Sequence, residues 1–248
     1  MEPALFPQMA RLENEHWWWL ARRAIVREML AGLPLPKDAE ILEAGCGTGG
    51  NLRLLSEFGR VHAMELDETA RAFAQRRVRE GVGAEIAPGR LPADIPFAGR
   101  NFDLIVLMDV LEHLDEEVPA LRALGARLKP GGWLLLTVPA CPCLWSRHDQ
   151  THHHRRRYRR GSLRAVVQAA ELAIRFDSYY NTLLFPLVLG TRLVKRVTGR
   201  DTDDQHLPGP RVNGLLRRIF ASERHLLRRR LRLPIGVSLL LLAQKNSL

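Results

Sequence analysis

Two stretches of this 248-residue sequence place residues at spacings that could do chemistry. The first is Glu43-Ala44-Gly45-Cys46-Gly47-Thr48-Gly49-Gly50, where the apolar pair Ile41-Leu42 runs into alternating glycines. Glycine permits a tight turn and lets the backbone approach a ligand closely. Sixteen residues past Gly49, Glu65 closes a second apolar run, and a carboxylate there can accept both hydroxyls of a ribose. Glu43, two residues before the first glycine, suits a cationic ligand better than a pyrophosphate. Gly45, Gly47 and Gly50 also satisfy G-x-G-x-x-G, whose following helix would serve the pyrophosphate of a nicotinamide dinucleotide. The loop alone leaves both ligands open.

The second stretch follows a later apolar run. It reads Cys141-Pro142-Cys143-Leu144-Trp145-Ser146-Arg147-His148-Asp149, then His152-His153-His154-Arg155-Arg156-Arg157-Tyr158. Histidine beside a carboxylate can take a proton, so His148 with Asp149, or His154, are the candidate bases. A purely structural hydrogen-bonding role is the alternative for each. Arg155, Arg156 and Arg157 could clamp a phosphate or carboxylate, because guanidinium forks match both, or could form surface ion pairs. Trp145 and Tyr158 flank them as candidate substrate contacts. The histidine run and the Cys-x-Cys pair lack zinc-site spacing, so no metal is expected. The cluster Trp17-Trp18-Trp19 is read as core packing, with cation–π attraction to a cationic ligand as the alternative.

These residues need positioning elements, and the sequence alternates strand and helix signals. Apolar runs at Glu40–Ala44, Val61–Glu65, Ala84–Ala87, Phe102–Met108, Trp133–Val138, Arg175–Tyr180 and Gly236–Ala243 are read as strands. Helices are expected at Glu13–Leu30, Leu52–Phe58, Thr69–Glu80, Glu116–Leu128 and Ser162–Ala173. Strands apolar on both faces and separated by helices make a mostly parallel sheet covered on both sides. The expected fold is therefore α/β. Residues 1–38 form a helical leader, 39–181 the core, 182–234 a basic helical insertion and 235–248 the last strand.

Composition narrows the class. The net charge of +10 is uneven. Residues 147–164 hold seven Arg against one Asp, and residues 192–232 hold eleven Arg and one Lys against four acids. This favours an anionic or lipid-linked partner, or an acidic membrane face, over a uniformly basic protein. In the insertion, Leu183–Leu189 precede Arg192, and Leu215, Leu216, Ile219 and Phe220 alternate with Arg217 and Arg218. An interfacial helix and a lid over the site both fit that pattern. Three cysteines exclude a disulfide framework, no apolar run is long enough to span a bilayer, and the start lacks a secretory pattern. The expected location is cytoplasmic, at most peripheral to the inner membrane face.

Taken in order, the motifs resemble the class I S-adenosylmethionine-dependent methyltransferases. Glu43–Gly49 is similar to that family's first motif and Glu65 to its ribose-binding acid. Asn101-Phe102-Asp103-Leu104-Ile105-Val106, Val110-Leu111-Glu112-His113-Leu114 and Leu128-Lys129-Pro130-Gly131-Gly132 resemble its later motifs. His16-Trp17-Trp18-Trp19, Trp145-Ser146 and the Arg-Tyr segment are similar to a bacterial branch near the type-11 and ubiquinone-biosynthesis group. The resemblance implies a Rossmann-like seven-stranded sheet with an antiparallel last strand and helices on both faces. It implies S-adenosyl-L-methionine as cofactor, held by Glu43, Gly45, Cys46, Gly47, Gly49, Glu65, Leu66, Leu91, Asp109 and Val110. It also implies in-line methyl transfer to a small-molecule or lipid- or saccharide-linked acceptor. Arg90 stands where the family often carries an acid facing the adenine, so backbone groups near Leu91 would serve there. A nucleic-acid methyltransferase is the rival suggested by the basic half. Leu107-Met108-Asp109-Val110 lacks the pattern of base-amino methylators, no aromatics interleave for base stacking, and no nucleic acid is expected.

Overall fold

A computed structural model describes residues 5–198 and 206–246. Residues 1–4 of the leader, 199–205 of the insertion and 247–248 after the last strand lie outside the described residues. The leader is two helices, α1 (Phe6–Glu15) and α2 (Trp17–Ala31), where the periodicity suggests one from Glu13. His16 makes the break. Its backbone is extended, and its ring accepts a hydrogen bond from the Trp18 N–H at 3.3 Å, which caps α2.

Seven strands follow: β1 (Ala39–Ala44), β2 (Gly59–Glu65), β3 (Ala84–Pro88), β4 (Phe102–Met108), β5 (Leu128–Pro139), β6 (Ala173–Tyr180) and β7 (Ser238–Gln244). Their order is β3-β2-β1-β4-β5-β7-β6, and only β7 runs antiparallel to its neighbours. Strand number and the antiparallel last strand agree with the sequence reading. The Pro130-Gly131-Gly132 segment, expected before the fifth strand, lies inside β5. The ladder to β4 shifts register between Phe102 and Leu104 to accommodate it.

The helices are α3 (Leu52–Leu55), α4 (Glu68–Arg79), α5 (Glu117–Ala126), α6 (Arg147–Thr151) and α7 (Arg160–Ala169), with α8 (Phe185–Thr198), α9 (Pro210–Ser222) and α10 (Arg224–Arg228) in the insertion. Side chains alternate across the sheet and feed two apolar layers. Leu104, Val106, Leu240 and Leu242 pack with Ile25, Met29 and Phe220 on the side of α2 and α9. Ile105, Leu107, Leu239 and Leu241 pack with Leu121, Leu124, Leu163 and Val167 on the side of α5 and α7. Each fully buried leucine contributes about 1.5–3 kcal/mol over exposure, and these layers hold the strand ends in register. Asp103 of β4 ties two strands together. Its carboxylate accepts from the Glu40 N–H at 2.8 Å and the Lys129 ammonium at 2.7 Å. The sheet therefore presents the carboxyl ends of β1, β2, β4 and β5 on one edge, where the strand order reverses and ligands of such sheets bind.

Candidate functional site

At that edge the chain leaves β1 through Gly45, Gly47 and Gly49, all with left-handed φ. At Gly45 (φ +78°) a side chain is excluded twice, because a Cβ would also lie 2.6 Å from Val110 Cγ2. The N–H groups of Gly45 and Cys46 both donate to the Met64 carbonyl, at 2.9 and 3.0 Å. Glu65, at the end of β2, accepts from the Gly47 N–H at 2.8 Å through one oxygen and from the Asp67 N–H at 2.9 Å through the other. Asp67 in turn caps α4 through the Ala70 N–H at 3.0 Å. Leu66, beside Glu65, is 64% exposed and offers an apolar surface next to the carboxylate. Leu91 is buried in the same apolar layer as Met64. The Arg90 backbone is spent on a two-way bridge to Asp94, at 2.7 Å each way.

Glu43 and Cys46 are buried beneath the turn rather than lining its open face. Glu43 accepts from the Asn51 amide at 2.9 Å, and burial pushes its carboxyl up to about 8. Burial likewise raises the Cys46 thiol well above the ordinary range.

The leader closes over the turn. Thr48 donates its hydroxyl to Glu13 at 2.5 Å, and Arg77 reaches both Glu13 (2.9 Å) and the Thr48 carbonyl (2.9 Å). Glu13 is buried, and a Cβ at Gly50 would overlap its carboxylate. From α2, Arg22 crosses to Asp109 at the end of β4 and forms an ion pair with its carboxylate. Arg22 is 2% exposed, and its guanidinium sits 4.7 Å from the Trp18 ring centroid and 4.6 Å from that of Trp19. Trp18 and Trp19 thus pack on a cation of the chain itself, Arg22. Trp17 packs on Phe220 of α9 (6.0 Å), and Asn213 of α9 accepts from the Trp17 N–H at 2.9 Å. Leader and insertion thus form one helical cap. Asp109 itself has φ +55°, a strained conformation for a non-glycine residue beside a site.

The second stretch lies across from the cap. Asp149 is wholly buried in α6 and accepts from the Ser146 N–H at 2.9 Å, from Arg157 Nε at 2.8 Å and from His154 Nδ1 at 2.9 Å. Burial opposes its charge, but the His154 hydrogen bond and the Arg157 guanidinium outweigh it and hold the carboxyl well below the usual range. His148 stacks on His152 (4.0 Å), and burial pushes its ring well below the ordinary histidine value. Asp149 therefore partners His154 rather than the adjacent His148.

The three arginines do not form a clamp. Arg155 pairs with Asp115 (2.5 Å), Arg156 with Glu117, and Arg157 with Asp149. Tyr158 is buried and donates its hydroxyl to Glu117, so it braces α5 instead of facing a ligand. Successive side chains of an extended segment point apart, and each finds its own acid. Trp145 is half-buried ahead of α6.

Glu13, Arg22, Glu112 and His113 were not singled out as site residues from the sequence. Arg22 follows Trp19 by three residues and Trp18 by four, which puts all three on one helix face. That spacing is the signal the sequence held.

Residues 9–175 match the family model described as a methyltransferase domain. Over 126 residues the chain is 30% identical to a protein of Mycolicibacterium smegmatis named probable S-adenosylmethionine-dependent methyltransferase, covering 50% of this chain and 47% of that one. It is 29% identical over 142 residues to the trans-aconitate 2-methyltransferase of Deinococcus radiodurans, covering 57% and 51%. The chain thus spans about half the length of these curated relatives. Among solved structures, phosphoethanolamine N-methyltransferase 2 of Haemonchus contortus in complex with S-adenosyl-L-methionine superposes with a TM-score of 0.60 at 18% identity. That match covers 90% of this chain and 52% of that one, and it speaks to the fold alone.

Proposed function

Because the chain belongs to the methyltransferase-domain family, we propose that it transfers the methyl group of S-adenosyl-L-methionine to a small-molecule or lipid- or saccharide-linked acceptor. The observation that carries this reading is the carboxylate of Glu65 set against the glycine turn, with one oxygen on the Gly47 amide. Anchored there, it keeps lone pairs for the two hydroxyls of an adenosine ribose. The turn fits the group in a second respect, since Gly45 packs so closely on Val110 that only glycine keeps the backbone path of the turn. A nicotinamide dinucleotide suits the turn poorly. Glu13, Glu43 and Glu65 surround it with carboxyl groups, and α3 behind it is only four residues long.

Bound S-adenosyl-L-methionine supplies a methyl group on an electrophilic sulfonium, so the chain's task is to align, enclose and exclude water. The glycine turn and Glu65 bind the adenosyl end. Asp109, held by Arg22, stands at the end of β4 next to that turn. The cap of α1, α2 and α9 closes the edge. His154, oriented by Asp149, lies against Glu112 and His113 after β4. Among the described residues no helix is long and apolar enough to cross a membrane. A lipid-linked acceptor would be met at the surface by the exposed apolar and basic residues of α8 and α9.

Calorimetry on the full chain with S-adenosyl-L-methionine, its demethylated product and a nicotinamide dinucleotide tests the reading. Uptake of the first two is expected. Uptake of the dinucleotide alone overturns it. Labelled cofactor with lipid and metabolite extracts then identifies the acceptor.

A further inference from the structure

Beyond β4 the chain makes a single 3₁₀ turn, Leu111–His113. It carries Glu112, which is 0% exposed, and neither of its carboxylate oxygens has a hydrogen-bond partner. A buried carboxylate with no donor is costly, and each such group calls for an explanation. The loop after α6 is pinned against this turn. The Arg155 N–H donates to the Glu112 carbonyl at 2.9 Å, and Arg155 Nε donates to the His113 carbonyl at 3.0 Å. That docking brings His154 Nε2 to 4.0 Å from Glu112 Oε1 and its ring to 4.8 Å from that of His113.

The orientation of His154 decides what can lie between these groups. Its Nδ1 faces Asp149 at 2.9 Å, and Asp149 serves as acceptor to the Ser146 N–H and Arg157 Nε as well, so Nδ1 is the donor here. In the neutral ring that tautomer puts a lone pair on Nε2, which faces the Glu112 carboxyl group. At 4.0 Å the two atoms are too far apart for a direct hydrogen bond, and neither Glu112 oxygen has another partner. His113 adds a third donor, its ring lying 4.8 Å from that of His154. One ligand atom each from Glu112, His113 and His154 fall within 4.8 Å of one another. A small inward shift of the side chains reaches metal-ligand spacing.

We propose that Glu112, His113 and His154 form a binding site for a divalent first-row transition cation, with Asp149 as the outer carboxylate that orients His154. Two imidazoles and one carboxylate suit zinc and its neighbours, and three protein ligands leave a coordination position for water. A histidine that passes its other ring N–H to a carboxylate is the usual support for such a ligand. The site stands independently of the cofactor reading, because none of its three ligands belongs to the glycine turn or to Glu65. It replaces the expectation of no metal, which rested on spacing. His154 lies 41 residues after His113, and only the fold brings them together.

The full chain, stripped with a chelator and dialysed, is titrated with Zn²⁺ by calorimetry and with Co²⁺ by visible absorption. One equivalent per chain is expected, with a cobalt ligand-field band and a zinc-dependent rise in Tm. Glu112→Gln keeps shape and removes charge, and His113→Ala alters a part-exposed ring. Each should abolish the band and weaken zinc by about 100-fold or more, while Asp149→Asn should weaken it by about 10–100-fold. Circular dichroism checks folding, and S-adenosyl-L-methionine uptake is measured on the same samples. A folded wild-type chain that takes up no ion overturns the site, whether or not it binds the cofactor. Retention of the ion by both Glu112→Gln and His113→Ala also overturns it, since the metal would then sit elsewhere.

Discussion

Arg22 of the leader and Asp109 at the end of β4 are joined by an ion pair that ties α2 to the sheet, with the guanidinium packed against Trp18 and Trp19. Arg22 is almost wholly buried, whereas Asp109 keeps 22% exposure. Removing the cation leaves a partly buried carboxylate unpaired and two indoles without their charge. Such a break costs about 3–5 kcal/mol for a fully buried pair, and the exposure of Asp109 places this one near the lower end. Arg22→Met, which keeps the apolar stem, should lower the urea midpoint accordingly. It should also weaken S-adenosyl-L-methionine by about tenfold or more in calorimetry, an effect of about 1.4 kcal/mol. Unchanged affinity in a folded variant would separate the pair from the cofactor site.

Glu65 makes a sharper demand on the proposed function. Its two oxygens already fix the turn through Gly47 and Asp67, so Glu65→Gln keeps one acceptor and replaces the other with a donor. A ribose diol that donates to the carboxylate would lose charge-assisted bonds, each worth about 1.5–3 kcal/mol. Affinity for S-adenosylhomocysteine should fall by about 100-fold, and Tm should fall too, because the Gly47 or Asp67 N–H loses its acceptor. Equal affinity in both proteins would mean that the ribose does not rest on Glu65.

The strands and the glycine turn were legible because burial on both faces leaves long apolar runs, as in Leu104–Met108 and Leu239–Ala243, and because three glycines in alternation have few other uses. The break at His16 was not legible, since one residue's ψ decides it and no propensity marks that residue. The arginine triplet misled through adjacency, because neighbours in extended chain diverge toward Asp115, Glu117 and Asp149. Asp149 and His154 were named as site residues, but Glu112 and His113, which lie against His154, were not. Glu112 lies inside a motif that the sequence offered as a family marker, and its proximity to His154 depends on how the loop after α6 docks on the 3₁₀ turn.

Glu43 predicts a pH dependence of stability. In the unfolded chain its carboxyl titrates near 4.5, whereas burial in the fold raises it to about 8. Between those values the folded state keeps a proton that the unfolded chain has lost. The stability it contributes is therefore full below about pH 4.5 and is lost as pH rises through about 8. Glu43→Gln preserves the contact with Asn51 and does not titrate. The Tm of the variant minus that of the wild type should rise steadily across this window. A flat difference at constant salt would show that Glu43 ionises in the fold as it does in water.

The insertion makes the last prediction, and its two faces argue it. The inner face of α9 is committed, with Phe220 buried against Trp17 and Tyr180. The outer face is not consumed by that packing. Leu183, Leu187, Leu193 and Val194 around α8, and Val212 and Leu215 on α9, are exposed, and Arg211, Arg217 and Arg218 are exposed beside the last two. Apolar side chains entering a headgroup layer, with about 1 kcal/mol from each basic residue at an anionic surface, make reversible attachment favourable. The full chain should sediment with vesicles rich in anionic lipid, less so in neutral vesicles and less at high salt, where a shorter Debye length screens the arginines. The double variant Leu187→Glu, Leu215→Glu should lose sedimentation while keeping its affinity for S-adenosyl-L-methionine. If the wild type fails to sediment at low salt with cofactor uptake intact, the insertion serves only as the lid.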